Sequence, residues 1–543
     1  MKSIKLILII TINVIISMNS LSQTVAWDWS KSGGGSSDDS GYCITTDFDG
    51  NVIIGGSFNS TAFFDDLQLT AMTYWGGGYI AKYDSLGSII WLRKITGTRT
   101  SAVHAITCDI FNNIYITGHF TETTYIDTIS LTSNGSSDLF IGKYDVNGNL
   151  VWIKSAGGID LDAGMSITCS ESFVYVAGEF RDSIYFDSTL LISNGNSDIF
   201  LACLDFDGNY EWVVQAGSSD YDVARSVCID SFSNVIIAGL VNTNAYFNAS
   251  DSSVITNGSY DVFVAKYLPT GGLQWVNSFG GIDRDRGISV ISDPNNNLFL
   301  HGHFYGTAYF DGITLTSSGD EDYFICKLNP NGSIIWAKKI GATVYPLDDA
   351  WKKTIVNDEQ GNVYVTSWFM DSLVYDDLTV QSNGSYDIFV MKIDTDGNLI
   401  WCLTAGNDHS YGDYSRSIAR DSNGNLYITG RFYDSLFFGD SSVTSYGSAD
   451  VFIAKIREEP VSVDKKKTSL EINVYPNPAT DYINIGQTLQ HIEKAEIIGI
   501  NGDVLRSYDT DLDRLDVFGL AKGIYLLKLY AGNVTFVSKI VIQ

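Results

Sequence analysis

The sequence predicts an all-β chain: a seven-bladed β-propeller closed by its own N-terminal strand, followed by a small C-terminal β-sandwich. Three observations carry this reading. A tryptophan recurs at Trp29, Trp91, Trp152, Trp212, Trp275, Trp336 and Trp401, at spacings of 60 to 65 residues. An alternating apolar run ending in Gly-x-Phe recurs at Gly56/Phe58, Gly118/Phe120, Gly178/Phe180, Gly302/Phe304 and Gly430/Phe432, with degenerate copies at Gly239/Val241 and Ser367/Phe369. A third run, typified by Phe452-Ile453-Ala454-Lys455, also occurs seven times, with Cys203 once in place of the lysine. Self-similarity at a fixed period marks a repeat architecture, whose units bury their faces only by stacking on one another.

Within the repeat, short apolar-polar alternations are separated by Asn-Gly and Asp-Gly turns, the pattern of antiparallel strands joined by hairpins. The third repeat divides into Ser166 to Cys169, Phe173 to Phe180, Ile199 to Leu204 and Tyr210 to Gln215, so four strands make one unit. The phase of the repeat predicts how the ring closes. The seventh copy stops at Ile456 without a Trp strand, while the chain begins with an orphan one, Val25 to Trp29. Joining the two removes a pair of open sheet edges.

Composition fits this architecture. The 543 residues exceed one ordinary core, 45% are hydrophobic and only 18% charged, and 51 glycines against 7 prolines leave the turns to Gly, Asn and Asp. A net charge of -29 argues against a nucleic-acid binder or a protein anchored on an anionic membrane surface. It suits a soluble extracellular protein. The seven cysteines show no C-x-x-C pair and sit largely in apolar runs, which reads as buried free thiols.

Taken in order, residues 1–22 read as a signal peptide, with Lys2 and Lys5 before an apolar run from Ile4 to Ile16 and small residues before Gln23. That run is too short to span a bilayer, and no later stretch is apolar enough, so no transmembrane segment is expected in the mature chain. The propeller is assigned to 23–457, a charged linker to 458–469 and the C-terminal unit to 470–543. The last segment carries short strands at Ile472 to Tyr475, Tyr482 to Ile485, Lys494 to Ile500, Ile524 to Tyr530 and Val534 to Ile542.

Two resemblances follow from these motifs. Asp421 to Phe432, with Asp450 to Lys455, resembles the SBBP-type bacterial β-propeller repeat, over roughly residues 25 to 457. That family implies a propeller and a secreted location but no single function. Tyr475-Pro476-Asn477-Pro478, Gly523 and Tyr525, and Lys539 near the chain end resemble the C-terminal sorting domain of the Bacteroidetes type IX secretion system. This second resemblance implies export to the cell surface or beyond, with the secretion machinery as a partner.

No catalytic motif is present: no Gly-x-Ser-x-Gly, His-Glu-x-x-His, phosphate loop or Cys/His zinc spacing. Comparing the copies with one another directs attention elsewhere. Asp39, Asp162, Asp222, Asp285 and Asp413 recur just before the first strand, where they are expected to ring the central axis near one mouth. They read either as a cation site, with Ca²⁺ the possible cofactor, or as acceptors of backbone N–H groups at a tight turn, and their regular recurrence favours the turn. Asp-x-Asp-Gly segments such as Asp47/Asp49 lack the further acid of a calcium loop and read as hairpin turns.

Two positions vary freely instead. The x of Gly-x-Phe is Ser57, His119, Glu179, Leu240, His303, Trp368 or Arg431; two residues before the first-strand anchor stand Tyr42, His104, Met165, Arg225, Ile288, Lys353 or Arg416. Aromatic, basic and His side chains at otherwise regular positions suit a binding mouth, and tolerated variation on a solvated face remains the other reading. Asp-Ser-Ile and Asp-Ser-Leu triplets at Asp182, Asp371 and Asp434 resemble the Bacteroidetes O-glycosylation sequon, and a turn role explains them equally. The expected function is a non-enzymatic binding or adhesion module for an extracellular glycan, peptide or host protein. The alternatives are a carbohydrate-active enzyme with acids at the axis and a purely structural adhesin.

Overall fold

The computed structural model describes residues 24–247, 252–343, 353–459, 474–485, 492, 494–499, 504–510, 512–531 and 534–543. The signal peptide and most of the linker expected from sequence lie outside these residues. The chain divides into two compact units, residues 24–458 and a unit containing 459–543. Every helix or strand assigned among the described residues is a β-strand, and the larger unit is of the β-propeller-like class.

The third repeat shows the local logic. Asp162–Cys169, Val174–Phe180, Asp198–Leu204 and Tyr210–Gly217 pair in sequence order as antiparallel neighbours. Alternate residues of a strand face opposite sides of its sheet. Tyr175 and Ala177 accordingly join one core cluster, while Val174 and Val176 join the next. Both faces are covered by neighbouring sheets, which is why these strands read as nearly continuous apolar runs.

The structure adds an element that a four-strand reading of the repeat did not resolve. Between the second and third strands lies a short hairpin, Ser183–Phe186 with Thr189–Ile192 in the third repeat. Each such hairpin pairs with the fourth strand of the preceding sheet, as Ile95–Gly97 does with Thr124–Ile126, and Gly280 and Gly281 with Tyr309 and Ala308. The Asp-Ser triplets open this hairpin: Asp182, Asp371 and Asp434 take φ of 56°, 60° and 55°, a left-handed turn that short polar Asp side chains tolerate.

The orphan strand Thr24–Gly35 lies between Asp450–Glu459 and the hairpin strand Thr61–Phe64, so the two ends of the repeat array meet in one sheet. The first strand Ser40–Thr46 likewise packs beside both Ser101–Cys108 and Tyr414–Arg420.

The recurring tryptophan and lysine share one task. Trp91 Nε1 and Lys82 Nζ both donate to the carbonyl of Val146, which belongs to the turn between the third and fourth strands of the next repeat. The same pairing holds for Trp152 and Lys143 on Phe206, Trp275 and Lys266 on Pro330, and Trp336 and Lys327 on Thr395. It also holds for Trp29 and Lys455 on Ser85, which ties the N-terminal strand into the pattern. Where Cys203 replaces the lysine, Trp212 alone bonds Pro269.

One seam is different. The last repeat has no turn between its third and fourth strands, because its fourth strand comes from the N-terminus. Glu458 takes the place of the missing carbonyl: its carboxylate accepts from Trp401 Nε1 at 2.6 Å, Lys392 Nζ at 3.1 Å and Tyr364 Oη at 2.8 Å. The sequence reading placed Glu458 in the linker; its hydrogen bonds place it in the larger unit.

The C-terminal unit has a three-stranded sheet (Val474–Tyr475, Tyr482–Ile485, Arg514–Asp516) and a four-stranded one (Val504–Tyr508, Lys494–Ile498, Gly523–Ala531, Val534–Ile542). They share a core in which Ile483 and Leu515 of the first meet Ile497, Leu527 and Ile540 of the second. The sorting motif is pinned to the terminal strand: Asn477 Oδ1 accepts from Val541 N at 2.8 Å, and Ala479 exchanges backbone bonds with Val541 and Gln543. Tyr525 is buried and donates to the Ala521 carbonyl, Gly523 begins its strand, Tyr475 is exposed, and Lys539 lies in the last strand.

Glu458→Ala leaves Lys392 with Asp358 at 3.3 Å as its remaining acidic partner. It is expected to destabilise the larger unit by about 3 kcal/mol, the scale for breaking a buried ion pair. Glu359→Ala, which removes the exposed pair to Arg420, is expected to cost less than about 1 kcal/mol. Urea denaturation of the two variants checks this order.

Candidate functional site

The first strands supply the site through one repeated irregularity. Their pairing with the second strands slips by one residue between Gly41 and Cys43, Val103 and Ala105, Gly164 and Ser166, Ala224 and Ser226, Gly287 and Ser289, and Ser415 and Ser417. The residues skipped are Tyr42, His104, Met165, Arg225, Ile288 and Arg416. A bulge leaves one residue unpaired and re-aims its side chain. These bulges coincide with the freely varying row found in sequence, of which Lys353 is the remaining member.

The re-aimed side chains converge. His104, Met165, Ser166, Arg225, Lys353 and Ser417, contributed by five repeats, line one small cavity of about 30 Å³. That volume admits water and nothing larger, since a water needs roughly 10–15 Å³ measured this way. Lys353 belongs to the same lining, and desolvation of its ammonium lowers its pKa below the ordinary lysine value.

The second varying row lies alongside, and the two interlock. Ser57 Oγ bonds Tyr42 Oη at 2.9 Å. His104 Nδ1 lies 3.0 Å from the Gly164 carbonyl and its Nε2 2.8 Å from His119 Nδ1. With His104 donating to the carbonyl, its Nε2 accepts from His119, which sets both tautomers. Burial lowers both pKa values, that of His119 to about 4, so the pair is neutral at physiological pH. The Arg416 guanidinium sits over the Tyr42 ring at 4.8 Å, and Arg431 over Tyr414 at 5.0 Å.

Other candidates serve the core. Trp368 is fully buried, edge-on to Tyr414, so its ring is out of reach of a ligand. His303 is buried 3.1 Å from Glu321; burial raises the Glu321 pKa, but His303 and Arg286 outweigh it and hold that carboxyl below its usual range. His301, two residues earlier, bonds Thr354 and stacks on Tyr323. Buried Glu179 is bonded by Ser197 at 2.9 Å, yet burial still raises its pKa.

The five recurrent aspartates, expected from sequence as a cation site or as acceptors of backbone N–H groups, have the hydrogen bonds of the second reading. Asp39, Asp162, Asp222, Asp285 and Asp413 are buried in the seams between successive sheets, where backbone N–H groups take up their carboxylates. Asp39 accepts from Gly35 N at 2.7 Å and Asn59 N at 2.9 Å, and Asp162 from Gly158 N at 2.7 Å and Arg181 N at 3.3 Å. Each faces a second buried acid at the head of the preceding repeat's third strand: Asp450, Asp138, Asp198, Asp261 and Asp387 respectively. Gly77 occupies the third-strand position in the seam where Ser101 replaces the first-strand Asp, whereas Asp322 is kept where Ala350 replaces it. In the first of these seams Ser101 Oγ accepts from Gly78 N and donates to the Ile95 carbonyl. Asp47, Asp205 and Asp394, meanwhile, cap their own hairpin turns. Among the described residues, no group of three or more His, Cys, Asp or Glu is placed to hold a metal ion.

Sharing Arg225 with this cavity is a larger pocket of about 300 Å³, lined by Tyr221, Arg225, Tyr260, Arg284 and Arg286 with Ser259 and Leu240. Of these, the two varying rows of the sequence contain Arg225 and Leu240. Arg284 and Arg286 flank the recurrent Asp285, and their signal was a cationic pair in a segment that carries none in the other repeats.

Fold and site thus define a propeller-class unit with a polar mouth. Comparison with known proteins is more specific. Residues 405–431 match the family model of a beta-propeller repeat, and residues 473–543 that of a secretion system C-terminal sorting domain. The chain therefore carries a type IX sorting domain, which marks it for export to the cell surface or the extracellular space. It is 24% identical over 435 residues to an uncharacterized WD repeat-containing protein of Acanthamoeba polyphaga mimivirus, covering 64% of this chain and 31% of that protein. It is 23% identical over 372 residues to regulatory protein FlaEY of Caulobacter vibrioides, covering 64% and 37%. A shorter match, 38% over 88 residues, is to beta-agarase D of Zobellia galactanivorans, covering 16% of this chain and 18% of that protein. The chain thus spans about a third or less of the length of these relatives. Among solved structures, Sqt1 from Chaetomium thermophilum aligns at a TM-score of 0.32 and 11% identity, covering 80% of this chain and all of that one.

The paired acids predict a pH dependence. Burial raises Asp162 to about 8 and Asp138 to about 6, Asp413 to about 8 and Asp387 to about 6, and Asp39 to about 7 and Asp450 to about 6. A pKa raised above its unfolded value near 3.8 contributes stability fully below that value and loses it as pH rises through the folded one. The melting temperature of the larger unit is expected to fall between pH 5 and pH 8. The double variant Asp162→Asn/Asp138→Asn is expected to flatten that slope, as calorimetry across the range will show.

Proposed function

We propose that the larger unit is a seven-bladed propeller, closed by its N-terminal strand, which acts outside the cell as a non-catalytic binding module. Seven recurrences of the Trp strand support the count, and the placement of Thr24–Gly35 between Asp450–Glu459 and Thr61–Phe64 supports closure. The observation that carries the binding reading is the mouth pocket of Arg225, Arg284, Arg286, Tyr221 and Tyr260. Three guanidinium groups converge there on a chain whose net charge is -29. Arginine forks match carboxylate, sulfate and phosphate geometry, and tyrosines add rigid contact area with a polar tip. The ligand class supported is an extracellular molecule bearing an anionic group, such as an acidic glycan or an acidic peptide of a host protein. A catalytic role for the aspartates is disfavoured by their burial, because acids sealed in the seams cannot touch a substrate.

Arg284 is exposed, so its truncation tests the site without disturbing the core. Arg284→Ala is expected to lower affinity for acidic glycans or peptides about tenfold, in a salt-sensitive manner, with an unchanged melting temperature. An array of such ligands, with and without Ca²⁺, supplies the measurement. Unchanged binding in this variant and in Lys353→Ala refutes the mouth as the site, and strict Ca²⁺ dependence favours a metal-mediated one.

A further inference from the structure

The repeat breaks its own rule at one turn, and a second groove opens there. Six repeats lead into the third strand through a Gly-containing turn ending in Asp, as in Ser133-Asn134-Gly135-Ser136-Ser137-Asp138. In five of them that glycine leaves no room for a side chain. A Cβ on Gly135, Gly195, Gly258, Gly384 or Gly447 falls 2.2 to 2.6 Å from backbone of the segment leading into the next repeat. The first repeat instead reads Met72-Thr73-Tyr74-Trp75-Gly76-Gly77, with Tyr74 at the glycine position. This is also the seam that has lost both members of the acid pair.

The substitution turns aromatics outward. Tyr74 is 85% exposed, Trp75 47% and Met72 55%, and the two rings lie 5.3 Å apart at 66°. Arg99 holds Trp75 from its other side, 5.1 Å from the ring centroid. Nothing in the core uses these rings, and exposed aromatics that fold without a packing role point to a partner.

Facing them are fixed polar groups. Tyr74 and Trp75, together with Asp38, Asn59, Ser60 and Ser448, line an open groove of about 560 Å³, within the roughly 300–1,000 Å³ typical of small-molecule sites. Asn59 Nδ2 donates to the Asp38 carbonyl at 2.8 Å, and the Asp38 carboxylate takes Ser448 Oγ and Ala449 N. Gly76, at φ 82°, allows Asn59 Oδ1 to lie 2.1 Å from where a Cβ would stand. The groove is thus held before any ligand arrives, which limits the ordering cost of binding.

We propose that this groove binds a neutral oligosaccharide, with Tyr74 and Trp75 as its platform. A pyranose ring presents one face of C–H groups, which complements the negative face of an aromatic ring. Its hydroxyls suit the carboxylate, amide and hydroxyls of Asp38, Asn59 and Ser448, which accept and donate side by side. Asp38 at the floor and the acidic chain disfavour an anionic sugar here, in contrast to the arginine pocket. The site is separate from that pocket and stands independently of it.

The test titrates cellohexaose, laminarihexaose, xylohexaose, mannohexaose and chitohexaose into the full chain, following tryptophan fluorescence and calorimetric heat. At least one is expected to bind saturably. Trp75→Ala and Tyr74→Ala are each expected to weaken it about tenfold with an unchanged melting temperature, whereas Trp75→Phe retains most of the affinity. Arg284→Ala is expected to leave it unchanged, which separates this groove from the mouth pocket. Absence of saturable binding to all five sugars, or undiminished binding in the two alanine variants, overturns the proposal.

Discussion

Everything in the larger unit depends on how one sheet is fastened to the next. A single propeller sheet cannot bury its two faces, so the repeat must carry its own adhesive. Here that adhesive is a carbonyl of a hairpin turn, which in five seams accepts from a Trp N–H and a Lys ammonium of the preceding repeat, as Val146 accepts from Trp91 and Lys82. A buried donor left without an acceptor is costly, so Trp, Lys and turn are constrained together. The regular tryptophan spacing is the sequence trace of that constraint. Glu458 shows its force: where the topology removes the turn, a carboxylate reaches the same two donors.

A second layer of the same seams is acidic, and it changes how the net charge of -29 is understood. Some of those acids never meet solvent. Asp39 with Asp450, and Asp285 with Asp261, face each other beside Gly34 and Gly280, where no side chain would fit. Burial favours their protonated form, so two adjacent acids are compatible with a closed seam only while a proton keeps both from ionising. The hydrogen bonds from Gly35 and Gly281 then orient each pair within its turn. The arginines of the mouth stand out more sharply once these acids are withdrawn from the surface.

The residues proposed to bind stand where the repeat relaxes. The bulge recurs in six first strands, but the residue it re-aims is free to differ, from Tyr42 through His104 to Arg416. Backbone geometry is shared and chemistry is local. The turn at 72–77 relaxes further, exchanging a sterically required glycine for an exposed tyrosine. Its neighbouring seam gives up the acid pair and keeps only the Ser101 hydroxyl.

Much of this was legible in the chain itself. Period, strand alternation, turn chemistry and the orphan Trp strand follow from local sequence, because each reflects a side chain meeting its own sheet or its own turn. The sorting motif was legible for the same reason, since Asn477 and its prolines are contiguous. What the sequence could not supply were relations between repeats: that Lys and Trp share one acceptor, that the outer hairpin crosses to the preceding sheet, and that Asp39 faces Asp450. Trp368 seemed from its variability to belong to the mouth, yet it fills the core, because a strand pattern names the face of a residue and not the depth of what covers it. The sequence by itself determined the fold class, the repeat and the export domain. Only the tertiary structure decided which varying residues meet, since proximity between side chains sixty residues apart is created by the stacking of sheets and has no local signature.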